Sequence, residues 1–64
     1  MKVGDEVIVC HLEPGDLFRE ISSEKLFIFS SMGGRMCEVK EQNTGKLFAW
    51  PSASKVILVR RFTE

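Results

Sequence analysis

The side chains of this 64-residue chain with the chemistry of a nucleophile, a base or a metal ligand are few, and those grouped near the single histidine are Cys10, His11, Glu13 and, farther along, Cys37. A thiol–imidazole pair needs sulfur and ring nitrogen within hydrogen-bond reach and a third group to orient the ring. Cys10 and His11 are adjacent on a stretch that reads as a strand, so their side chains point to opposite faces and do not meet. Cys37 reaches His11 only across a barrel, and nothing in the sequence marks a third group. Neither cysteine belongs to a close-spaced metal motif, and one histidine does not complete a four-ligand zinc set. The stretch SSMGGR (30–35) has glycines and a cation but not the strand-to-helix context of a phosphate loop. No catalytic residue, metal or cofactor is therefore expected, and the chain does not read as an enzyme. Both cysteines read as small, reduced, buried thiols.

The chemistry left is that of surfaces, and it depends on the elements beneath them. Hydrophobic residues make up 44% of the chain and charged residues 28%, which places it among folded domains. Residues 1–64 suffice for one small domain. Such a chain buries only about 60% of the surface its unfolded form exposes, so its core is thin. Residues 1–32 hold three basic groups (Lys2, Arg19, Lys25) against six acids, a balance of −3. Residues 33–64 hold six basic groups against three acids, a balance of +3, so the formal net charge is zero. In a closed barrel the two halves interleave, and no basic excess of the kind a dedicated nucleic-acid binder carries is left. The opening MKVGDEVIVC has only a four-residue apolar run, and no stretch nears the length of a membrane span. A cytoplasmic protein is the expectation.

Strand signals recur every eight to twelve residues, separated by turn chemistry. DEVIVCHL, LFREI, LFIFSSM, RMCEVKEQ, KLFAW and KVILVRRF read as six short strands. Between them, EPGD, SSEK, Gly33–Gly34, NTG (43–45) and PSAS read as turns, the last with room for one short 3₁₀ turn. Six short strands cannot make two full sheets, whereas one strongly bent sheet closing on itself removes the edge problem. The expected fold is all-β: a small SH3-like or OB-like, partly open barrel of five to six antiparallel strands, with the N-terminal strand near the C-terminal one.

The order L-x-P-G-D-x-F (Leu12, Pro14, Gly15, Asp16, Phe18), an aromatic-rich strand, Thr44–Gly45 and a final V-x-L/V strand resembles many short proteins of bacteriophage and prophage genomes. The resemblance spans most of the chain and rests on turn chemistry. It implies an SH3-like barrel, and a small accessory protein that acts in the host cytoplasm. True SH3 domains are a second comparison, through Pro51 and the turn before the last strand. The chain has no tyrosine, no ALYDY-type segment and no paired tryptophans, so recognition of Pro-rich ligands does not carry over.

Turn lengths assign the faces of the central strands. A two-residue loop at Gly33–Gly34 pairs Phe27 with Lys40 and Phe29 with Glu38. A three-residue loop at Asn43–Gly45 pairs Lys40 with Phe48 and Glu38 with Trp50. Directly opposite side chains share a face. Two rows result, Phe27–Lys40–Phe48 and Phe29–Glu38–Trp50, while Leu26, Ile28, Cys37, Val39, Leu47 and Ala49 fill the interior. Lys40 and Glu38 resist burial, so the aromatic rows are expected at the surface. With Arg35 they form the candidate partner-binding strip: Phe27, Phe29, Arg35, Glu38, Lys40, Phe48 and Trp50. One more residue in the second loop would turn Phe48 and Trp50 inward.

That strip leads to the expectation of a non-catalytic protein-binding module which, by the phage resemblance, docks on and modulates a host or viral enzyme. The alternative is a nucleic-acid-binding barrel in which the aromatics stack on unpaired bases and Arg35, Lys40 and Lys46 meet phosphates. Homodimerisation through the strip is a third use of the same surface. No membrane partner is expected.

Overall fold

In the computed structural model, which describes residues 2–62, all six expected strands are present. They are β1 (Glu6–Ile8), β2 (Leu17–Glu20), β3 (Leu26–Gly33), β4 (Met36–Glu41), β5 (Leu47–Pro51) and β6 (Lys55–Arg60). They form one antiparallel sheet in the order β1-β6-β2-β3-β4-β5. The Cα envelope of 25 × 24 × 24 Å is nearly equal in all three directions, whereas a flat sheet is thin in one, so the sheet curls around its own core as a small, partly open barrel. β1 pairs with β6, which brings the N-terminal strand beside the C-terminal one. No described helix is long and apolar enough to cross a membrane.

The first strand is shorter than its β-branched run suggests. After Ile8 the chain enters a 3₁₀ turn, Val9–His11. The N–H groups of Val9 and Cys10 donate to the carbonyls of Ser54 and Ser52 (2.8 and 3.2 Å), so this turn closes the barrel against the β5–β6 connection. The 3₁₀ geometry expected in PSAS falls here instead, and PSAS keeps a single turn in which Ser54 N–H donates to Pro51 C=O at 3.0 Å.

Both hairpin registers differ from expectation, and the difference inverts the central strands. The β3–β4 loop is Gly34–Arg35, with Gly33 paired to Met36. Gly34 alone takes positive φ (74°), the sign pattern of a type II′ turn. A bulge between Phe29 and Ser31 then shifts the ladder once more, so that Phe29 faces Val39 and Phe27 faces Glu41. The β4–β5 loop has four residues, Gln42–Gly45. Gln42 leaves the β4–β5 ladder because its N–H donates to Leu26 C=O on β3 (3.0 Å). Glu41 N–H then donates to Lys46 C=O, and Gly45 N–H returns to Glu41 C=O (2.9 and 2.8 Å). Val39 therefore faces Phe48, and Cys37 faces Trp50.

One face of the curled sheet thus carries Phe18, Phe27, Phe29, Cys37, Val39, Val56 and Leu58, all buried. Phe18 stacks on Phe27 at 5.9 Å, and Trp50 packs against both, at 5.6 and 4.7 Å between centroids. The expected interior of modest side chains holds only for Cys37 and Val39. Leu26 and Ile28 are half-buried, while Leu47 and Ala49 are exposed on the outer face. Aromatic rings bury the most apolar area per side chain, so the register that encloses them prevails.

Candidate functional site

The seven residues of the expected strip do not stay together. Phe27 and Phe29 are 3% and 2% exposed, so they are core and belong to no docking surface. The same burial removes them as stacking platforms for bases. Trp50 is half-buried, wedged into the aromatic cluster. Phe48 keeps 36% of its surface, edge-on to Phe27 at 6.1 Å, with the Lys46 ammonium 5.6 Å from its ring centroid. Glu38 and Lys40 are exposed, but on the opposite, outer face, beside Ala49 and Leu47. Arg35 is exposed at the β3–β4 turn.

What the fold brings together instead is centred on β5. This strand lies at the end of the sheet and, among the described residues, pairs only with β4. Its ladder is bounded by the Glu41–Lys46 bond at one end and by Ser52 N–H donating to Arg35 C=O (2.9 Å) at the other. By the alternation of an antiparallel ladder, Phe48 and Trp50 aim their backbone groups at β4, and Leu47 and Ala49 aim theirs at the free edge. Pro51 has the outward phase too, but it has no N–H, and its carbonyl already accepts from Ser54. Among the described residues, the open edge is therefore two N–H and two C=O groups, at Leu47 and Ala49.

Two depressions adjoin this strand. On the outer face a hollow of about 450 Å³ is lined by Met36, Glu38, Leu47, Phe48 and Ala49 among others. Leu47 is 54% and Met36 43% exposed, which makes its floor apolar. Ser30 donates a hydrogen bond to Glu38 Oε1 at 3.1 Å and fixes the carboxylate at the rim. At the other end of β5, Trp50 and Pro51 join Ile21, Glu20 and Lys55 around a second hollow of about 350 Å³. Leu47 and Ala49 were expected inside the barrel. Pro51 at the close of a strand is the sequence signal that β5 is an edge.

Ser52 holds this region in shape. Its hydroxyl donates to Gly34 C=O at 2.6 Å and accepts the Cys37 thiol at 3.4 Å. The β3–β4 turn is thereby tied to the end of β5. Ser52→Ala is expected to cost about 1 kcal/mol in urea unfolding, the net worth of an ordinary hydrogen bond, and to broaden the amide signals of residues 33–36.

His11 is exposed, whereas Cys37 is buried against Ser52 and Met32, so the structure does not bring this histidine and this thiol together. Cys10 and Cys37 are both free thiols. Among the described residues, no group of three His, Cys, Asp or Glu side chains is placed to hold a metal ion. No protein-family model, no curated protein and no solved structure matches the chain.

Proposed function

We propose that the protein is a small, non-catalytic protein-binding module whose recognition element is β5. The observation that carries this is the edge at Leu47 and Ala49, unpaired among the described residues and adjoined by two hollows. An extended segment of a partner adds to such an edge through main-chain hydrogen bonds, and its alternate side chains enter pockets on either side. Here one set meets Leu47, Ala49 and Met36 on the outer face, and the other meets Phe48 and Trp50. Glu38 lines the outer hollow, Lys40 lies opposite Leu47 on the same face and Arg35 precedes Met36 in the β3–β4 turn, and their charges select partners and fix register. By the resemblance of its turn motifs to short phage proteins, the partner is a host or viral enzyme.

The test uses Ala49→Pro. The Ala49 N–H points away from β4, so proline at 49 removes an edge donor without breaking the β4–β5 ladder. Wild type and variant serve as paired baits in lysate of the native host. The expected result is a protein retained by wild type and lost from a variant that keeps its wild-type circular dichroism. Equal retention by a folded variant removes β5 as the recognition element.

A further inference from the structure

Resting on β5 as the recognition strand, we infer that its occupant in the free protein is the β5 of a second copy of this chain, paired antiparallel about a twofold axis through Phe48. The edge is self-complementary in this register and in no neighbouring one. With Phe48 opposite Phe48 of the other copy, Leu47 lies opposite Ala49 on both sides of the axis. Each pair exchanges two hydrogen bonds, so both N–H and both C=O groups of each edge are satisfied by four bonds.

Sliding the axis to Ala49 sets Leu47 against Pro51, which has no N–H and whose carbonyl is taken by Ser54. Sliding it to Leu47 sets Ala49 against Gly45, whose N–H is taken by Glu41 C=O. Shifting by a single residue sets the edge groups against Phe48 or Trp50, whose backbone groups face β4. Pro51 and Gly45 thus bracket the strand and select one register.

The side chains agree with it. The half-exposed Phe48 rings meet across the axis as a cross-strand aromatic pair, at positions where antiparallel side chains approach closest. Lys46 lies opposite Trp50 of the other copy, within reach of a cation–π contact. On the outer face, Leu47 of each copy covers Ala49 of the other, and the two outer hollows become neighbours on one continuous surface.

A twofold pairing uses the same edge on both copies and so closes. The opposite edge of the sheet is β1, only three residues long, and offers no comparable site for further growth. The pairing also adds buried apolar surface to a domain too small to bury much of its own. An extended partner segment uses the same four backbone groups, so partner binding and self-pairing exclude each other at β5.

The experiment is sedimentation equilibrium on the full chain, from low micromolar to millimolar concentration, combined with amide hydrogen exchange. Wild type is expected to approach twice the monomer mass. The Leu47 and Ala49 amides should gain protection as concentration rises, while Phe48 stays protected throughout. Ala49→Pro removes two of the four bonds and is expected to weaken the dimer about 30-fold or more. A wild-type chain that keeps the monomer mass, with unprotected Leu47 and Ala49 amides at millimolar concentration, overturns the inference. So does a folded Ala49→Pro variant that dimerises as wild type does. If the variant fails to fold, the wild-type exchange pattern decides alone. A monomeric wild type whose partner capture is still abolished by Ala49→Pro leaves β5 as the recognition strand and removes only the second copy. Loss of neither mass nor capture in the variant removes both.

Discussion

Phe27→Ala is expected to bring the domain to the verge of unfolding, while Phe48→Ala is expected to leave it folded. Phe27 is enclosed by Phe18, Trp50 and Phe48. Truncating a buried phenylalanine costs about 3–5 kcal/mol, counting both lost transfer energy and the cavity left behind. A 64-residue domain has a total stability of roughly 3–10 kcal/mol. Phe48 has only part of its ring in contact with that cluster, and its truncation should cost about 1 kcal/mol. Glu38→Ala and Lys40→Ala, on the outer face, should fall within about 0.5 kcal/mol of wild type. Urea unfolding followed by Trp50 fluorescence measures all four. Small, similar losses for Phe27 and Phe48 would mean that both rings stand at the surface, contrary to the register of β3 on β4.

That contrast marks where the sequence stopped being readable. All six strands were legible, because Pro14, Gly15, Gly34, Gly45 and Pro51 punctuate the chain and β-branched or aromatic runs fill the intervals. The all-β class followed from the even spacing of those runs. Which face points inward was not legible from turn chemistry, because that depends on counting loop residues. A two-residue loop at 33–34 or at 34–35 leaves the faces of β3 and β4 unchanged, so it is the bulge beside Ser30, which has no local marker, that inverts them. The second loop gained a residue because Gln42 N–H continues the β3–β4 ladder onto Leu26 C=O, a pairing that the NTG turn itself does not show. The parity of the large apolar side chains carried the missing information. Phe27, Phe29, Cys37, Val39, Phe48 and Trp50 share one face only with both the bulge beside Ser30 and the four-residue second loop in place. Giving the interior to small side chains reversed that parity and placed Leu47 and Ala49 inside. The candidate site changed with it, from a strip of ring faces to the backbone edge of the strand that carries two of those rings.

The second large effect is expected at Asp16, which turn chemistry identified only as part of the PGD turn. Its side chain is 1% exposed and accepts two backbone hydrogen bonds. Glu13 N–H donates to Oδ2 and Phe62 N–H to Oδ1, each at 2.9 Å. One carboxylate therefore closes the 13–16 turn on itself and ties to it the chain beyond β6. Its backbone joins the same junction: Phe29 N–H donates to Asp16 C=O, and Gly15 N–H to Phe29 C=O (2.9 and 2.8 Å). Asp16→Ala removes both acceptors and leaves two donors unpaired. Hydrogen bonds to charged groups are worth about 1.5–3 kcal/mol each, so a loss of about 3 kcal/mol or more is expected. Asp16→Asn separates shape from chemistry. It keeps the volume, but one of the two N–H groups then faces an amide NH₂, so roughly half the loss should remain. Gly15→Ala probes the same junction from the other side, because a Cβ there would sit 2.6 Å from the Phe62 ring at a φ of +96°. It should release residue 62 and, because Gly15 sits at positive φ inside the 13–16 turn, strain that turn as well. Amide exchange at Phe62 and Glu13 distinguishes the two aspartate variants: both amides lose protection in Asp16→Ala, and one of the two does in Asp16→Asn. If Glu13 and Phe62 stay protected in a folded Asp16→Ala protein, the carboxylate is not what joins the turn to the end of the chain.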